Sequence, residues 1–415
     1  MRLDDFIEDF QRDEAAEKRR LAEEKSYEIT NYLDEVEREF ERAVSGESLF
    51  GATAPEIFVG RSSYPNVSTG VLSPVTDGDA ADFATSGEWY QQGLGVSEVL
   101  QRRTGLLNST RSANVDVRDV WDGFVGVQRE VAIADHPVDV EVGLDGEPDI
   151  DLSLDDVGAP TGPRASAESA TLAENPHVPR PVKKTLEDDD WRAEGAMTYL
   201  YRRGFDVYDI NTILSAGALG RGRDRRLVPT RWSITAVDDT VGQFLRGGIR
   251  NASTISETEV WYNEYMGNRY WVVLTPGQWE FELVEMKAPD SVWNPAGEAY
   301  YLASAHEGYE GRTGYVEETA GAYYASRLGV LEHLNDRGRQ AKCLVLREVT
   351  DDYWAPVGVW QVREGVRNAF DGQHGETETF RQAVTEVTEQ LPVSLGALRR
   401  KSELVAGLQA KLSDF

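Results

Sequence analysis

The 415-residue chain has one cysteine, Cys343, so no disulfide can form within it. A reducing, cytoplasmic setting is the default for such a chain. Cys343 lies in the strand-like run Ala341-Lys342-Cys343-Leu344-Val345-Leu346, which reads as a place for a buried, inert thiol. Long apolar runs are missing too. Stretches such as Trp271-Val272-Val273-Leu274 fall far short of the roughly 18 residues that span a bilayer. No basic start followed by an apolar segment opens the chain, so neither secretion nor a membrane partner is expected. The five histidines, His136, His177, His306, His333 and His374, are scattered, and none stands at ligand spacing from a cysteine or another histidine. The expectation is therefore no metal and no other cofactor. A Gly-x-Ser-x-Gly elbow is absent, and the glycines near residue 220 lack the Gly-Lys-Ser/Thr of a phosphate loop.

Positive charge is scarce. Lys and Arg number 43 against 72 Asp and Glu, a net charge of −29. The acidic residues are spread along the chain rather than collected in a tail, the pattern of a proteome adapted to high salt. A protein this acidic cannot bind DNA through its overall field. Any DNA contact must come from a local basic patch, and a tether to something already on DNA would substitute for raw electrostatic affinity.

At roughly 100–200 residues per domain, the length suggests two or three domains. Residues 1–45 read as a charged helix, with Leu3, Phe6, Ile7 and Phe10 at helical spacing. Residues 143–190, rich in Asp, Gly, Pro, Ala and Ser, read as an acidic linker or insertion. Beyond Asp190 the patterning is dense. Helices are predicted over 191–203, 208–219 and 320–335. Strands are predicted over 257–265, 269–274, 279–286, 341–348 and 357–363, with Thr275-Pro276-Gly277 joining two of them. The mixture predicts an α+β fold: a mixed, largely antiparallel sheet with flanking helices, a charged N-terminal helix and a flexible C-terminal tail.

Three constellations can carry function. The first is Gln409-Ala410-Lys411-Leu412-Ser413-Asp414-Phe415. Gln409, Leu412 and Phe415 have the spacing of a sliding-clamp-binding peptide (a PIP motif), in which a helical turn projects the aliphatic and aromatic side chains into one apolar pocket while the Gln amide fills a polar one. The alternative is that Leu404, Leu408, Leu412 and Phe415 form an apolar stripe that packs on the body. The second is the arginine cluster Arg221, Arg223, Arg225 and Arg226, followed by Arg231 and Trp232. Guanidinium forks suit phosphate, nearby glycines open the backbone to it, and Trp232 can stack on a base. The alternative is a structural loop whose arginines pair with carboxylates such as Asp238 and Asp239. The third is Glu285-Met286-Lys287, the Glu-x-Lys ending of some metal-dependent nucleases, with Asp238, Asp239 or Glu259 as the upstream acid.

Several segments together resemble the archaeal Nre family of DNA-repair proteins, of the NreA type. They are Phe58-Val59-Gly60-Arg61 with Tyr64-Pro65-Asn66-Val67, the string Leu227 to Asp238, Trp293-Asn294-Pro295, and Tyr353 to Glu364. The resemblance implies an N-terminal family domain (46–280) and a C-terminal one (281–398), followed by a tail (399–415). It also implies a role in repairing DNA lesions, with other repair proteins as further partners, and binding to the clamp PCNA through Gln409, Leu412 and Phe415. The cysteine-rich zinc segment of many members has no counterpart here. The acidic composition fits a halophilic archaeal member.

Overall fold

The computed structural model describes residues 48–75, 78–118, 120–146, 162–289, 291–294 and 297–408. The predicted helix at 1–45 and the peptide Gln409–Phe415 lie outside the described residues. The described chain forms two compact units that divide between Val241 and Gly242. The boundary proposed at 280/281 falls instead within a strand of the second unit.

The first unit is built on a six-stranded sheet in the order β1-β5-β6-β4-β3-β2. Its strands are β1 (Ser48–Thr53), β2 (Ile57–Val59), β3 (Asn66–Pro74), β4 (Leu106–Asn114), β5 (Val138–Leu144) and β6 (Arg164–Leu172). β4 and β6 run parallel and the other neighbours antiparallel. β6 revises the linker reading of 143–190. The strand sits inside the sheet, and the Arg180–Glu187 helix follows it. Its inward positions are Ala165, Ala167 and Ala170. Alanine has low strand propensity, and the two-residue period breaks between Ala167 and Ala170, at the register shift opposite Gly143 and Leu144, so neither residue type nor spacing announces a strand. Val67, Val71, Leu107, Val138, Val140 and Val142 fill the core with the Gly123–Ile133 helix.

The second unit carries another six-stranded sheet, in the order β10-β9-β11-β8-β7-β12. Its strands are β7 (Thr258–Tyr265), β8 (Asn268–Thr275), β9 (Glu280–Lys287), β10 (Tyr301–Glu307), β11 (Lys342–Val349) and β12 (Gln373–Thr377). β8 and β9 follow one another as predicted, but β11 lies between them, antiparallel to β8 and parallel to β9. The fold is α+β, with each sheet mixed and largely antiparallel. The strand predicted over 357–363 is instead a turn leading into the Trp360–Arg367 helix. Its valines mimic strand alternation, yet this helix packs along the Ala320–Arg337 helix, where Gly329 allows close approach to Val366. Cys343 is fully buried, and burial pushes its thiol pKa well up, as expected of an inert position.

His333, on the Ala320–Arg337 helix, stacks on Phe370 at 3.8 Å and meets the edge of Trp261 at 5.5 Å. Burial, and then the neighbouring Arg337 cation, push its pKa down to about 4. The folded state thus holds the neutral ring, whose ordinary pKa is about 6.5. The stability this gives is complete above pH about 6.5 and is lost as pH falls toward 4. Because the ring is partly exposed, the expected loss is about 1–2 kcal/mol. Urea midpoints at pH 7 and pH 4.5 should converge by that amount in a His333→Leu variant relative to wild type.

Candidate nucleic-acid interface

The arginine-rich loop between the Val207–Ser215 and Thr230–Ile249 helices is pinned from beneath by two buried arginines. Gly217 opens it in the left-handed region (φ 68°), and a Cβ there would come within 2.8 Å of the Arg226 backbone. Glycine is the residue that satisfies both demands. The far side of the loop is stitched to the end of β4, where Leu227 N donates to Val115 O at 2.8 Å. Arg129 is fully buried. Its guanidinium donates to Val117 O (2.8 Å), Val120 O (2.6 Å) and Gly217 O (3.4 Å) and lies 4.1 Å over the Trp121 ring. Burial, and then the nearby Arg225 charge, push its pKa down to about 10, still cationic at neutral pH. Arg225 is 5 % exposed and donates to Gly220 O (3.1 Å), Leu186 O (2.8 Å) and Thr185 O (3.2 Å). Its predicted role as a phosphate contact is therefore corrected: the side chain is buried, and its Nε and Nη2 donate to carbonyls that fix the shape of the loop.

With Arg225 turned inward, its neighbours face out. Arg221 and Arg226 line a cleft of about 500 Å³ together with Arg192 and Asp224, over an apolar floor that includes Leu214 and Leu227. Arg223 projects beside the cleft, 74 % exposed at its side chain and 3.9 Å from Asp224. Arg231 is exposed on the first turn of the Thr230–Ile249 helix but does not line the cleft. Trp232, one residue on, does. It is 48 % exposed, and its ring lies 5.6 Å from that of Tyr64, itself 46 % exposed. Thr230 brings the two segments together by accepting from Val59 N at 3.0 Å, which seats the Gly60–Pro65 loop against the helix start. Exposed arginines beside two exposed aromatic rings combine phosphate recognition with a stacking surface. Tyr64 and Arg192 escaped the sequence reading. Tyr64 stands in the Tyr64-Pro65-Asn66-Val67 segment of the family resemblance, but nothing in that segment marks it as facing the arginine loop.

The Glu-x-Lys constellation is arranged differently. Glu285, 3 % exposed, pairs with the guanidinium of Arg347, itself 7 % exposed. Arg347 also donates to Asn268 Oδ1 (3.0 Å) and Gln361 Oε1 (3.4 Å), and the Tyr270 hydroxyl completes the network on Gln361 (2.8 Å). Lys287 Nζ lies 4.0 Å from Glu285. The neighbouring acids are committed too: Glu259 to Arg337 (2.7 Å), Glu280 to Lys342 (2.6 Å) and Glu282 to Ser402 (2.6 Å). Asp238 is buried in the first unit. Glu285 thus sits in a closed ion-pair network, with its carboxylate neutralised rather than presented to a metal ion.

The fold does gather two of the scattered histidines. Asp135, His136 and His177 place their ligand atoms within 4.8 Å of one another on the surface of the first unit. Nδ1 of His136 (2.6 Å) and of His177 (2.8 Å) contact the two oxygens of Asp135, and Asp135 N donates to His177 O. The histidines stand 41 positions apart along the chain, a spacing that gives no hint of it.

The fold and cleft define a two-unit α+β protein that is acidic overall and carries a locally cationic, aromatic recess in its first unit. Residues 21–294 match the archaeal Nre N-terminal family and residues 307–415 the archaeal Nre C-terminal family. The chain is 66% identical to DNA repair protein NreA of Haloferax volcanii over the whole of both chains. It is 38% identical to DNA repair protein NreA of Archaeoglobus fulgidus, covering 81% of this chain and 84% of that one. It is 36% identical to DNA repair protein NreB of the same organism, covering 88% and 92%. The chain belongs to the archaeal Nre family of DNA-repair proteins, NreA type. No solved structure matches it. No helix among the described residues is long and apolar enough to cross a membrane.

Proposed function

We propose that this chain serves DNA repair docked on the sliding clamp PCNA through Gln409, Leu412 and Phe415, with the arginine–aromatic cleft turned to DNA. The observation that carries the clamp reading is the Gln-x-x-Leu-x-x-Phe spacing immediately beyond an anchored helix. The Glu403–Ala406 helix is fastened by the buried Glu282 carboxylate, which accepts from Ser402 Oγ (2.6 Å), Glu403 N (2.8 Å) and Leu404 N (2.9 Å). Leu404 and Val405 are buried in the core of the second unit, and Leu408 packs against it. The apolar stripe thus begins as part of the body, and the three motif residues follow from a fixed root.

The charge balance gives the tether a purpose. At a net charge of −29, electrostatic attraction to DNA must come from local basic patches such as the cleft, and high salt weakens even that. Holding the cleft beside clamp-loaded DNA raises its effective concentration there without new contacts. The test is co-elution of the full chain with purified archaeal PCNA in molar KCl. A shared peak at stoichiometric mixing is the expected result, and separate elution overturns the clamp reading.

A further inference from the structure

We infer that the cleft between Tyr64, Trp232 and the arginine loop takes a single unstacked nucleotide of a DNA strand. This rests on the reading that the cleft meets DNA, and it names what the cleft holds there. Three features of the site lead to it.

The first is shape. Duplex grooves are read by elements that protrude into them. This site is concave, and its volume of about 500 Å³ falls in the range that encloses one small molecule. The second is the division of its chemistry. Arg221 and Arg226 line the cleft, where they suit a phosphate, and so do Trp232 and Tyr64, whose half-exposed rings suit a base. Asp224 also lines the cleft. Its carboxylate would repel a phosphate, but it can accept from an exocyclic amino group, as carboxylates do from cytosine. A base edge is the part of a nucleotide that suits it. The third is rigidity. Arg129 and Arg225 fix the loop through six carbonyl contacts in all. The backbone that carries the outward arginines is therefore held before any ligand arrives, which lowers the ordering cost of binding.

The inference gives the site a basis for selecting lesions. Taking a base out of the stack costs least where it is mismatched, damaged or already unpaired. A pocket for one extrahelical nucleotide then favours damaged over intact duplex without reading sequence.

The test is fluorescence anisotropy of full-length protein with labelled DNA: a 12-nucleotide single strand, a matched duplex, and the same duplex carrying one unpaired extra base. Unlabelled dAMP serves as competitor. The single strand and the bulged duplex should bind at least about tenfold tighter than the matched duplex. Trp232→Ala should abolish that preference, and Trp232→Phe should restore it. Because stacking carries little charge, the preference should persist as salt lowers all affinities together. Equal binding of matched and bulged duplex, with Trp232→Ala without effect on their ratio, overturns the nucleotide pocket but leaves DNA contact standing. No binding of any DNA overturns both. Competition by dAMP as strong as that by the oligonucleotide overturns the assignment to a DNA strand and makes the ligand a free nucleotide.

Discussion

Arg347→Ala is expected to destabilise the second unit by about 3–5 kcal/mol, the cost of stranding one member of a buried ion pair. Glu285 would keep its carboxylate at 3 % exposure with its close guanidinium partner gone and only Lys287, 4.0 Å away, in its place, and Asn268 and Gln361 would each lose a donor. Glu285→Ala strands Arg347 in the same way and should cost a similar amount. The paired change Arg347→Met with Glu285→Leu, which removes both charges and keeps volume, should recover most of the loss. Urea unfolding of the four proteins measures all of this. If Glu285 were instead a metal-binding carboxylate tolerated in an open site, Glu285→Ala would leave stability unchanged or raise it. A Glu285→Ala protein as stable as wild type would therefore remove the structural account of this network.

Phe415→Ala should weaken binding of the full chain to PCNA by about 30-fold or more, with the unfolding transition unmoved. The aromatic of a groove-bound turn is the kind of anchor whose truncation costs about 2–4 kcal/mol. Leu412→Ala should follow with a smaller loss, and Gln409→Ala with the smallest, since an amide in a polar pocket contributes orientation more than buried area. Isothermal titration of PCNA in molar KCl reads all three. An affinity unchanged in Phe415→Ala would contradict the assignment of the motif, whatever the other two do.

The parts of this picture that were legible in the sequence share a cause: they stand out against their surroundings. A run of arginines in an acidic chain announces itself locally, and so do the strongly apolar strands at 269–274 and 341–348. What stayed hidden depends on residues far apart along the chain. Nothing near Arg225 distinguishes it from Arg221, yet the carbonyls of Thr185 and Leu186 draw it inward and leave its neighbours to face solvent. Tyr64 meets Trp232 across more than 160 residues because Thr230 accepts from Val59. Glu285 looked catalytic because its partner, Arg347, comes from a strand that follows it by some 60 residues. Local patterns were misleading where propensity opposed packing, as in the alanine-faced β6 and the valine-rich turn before Trp360.

We propose that the tail decides where the protein works. Its most direct test is retention on DNA carrying loaded PCNA, in molar KCl, of the full chain and of a chain ending at Leu408. The account predicts that the full chain is held on clamp-loaded DNA and released when the clamp is omitted, and that the shortened chain is lost from both. Equal retention of the two chains on clamp-loaded DNA would contradict it.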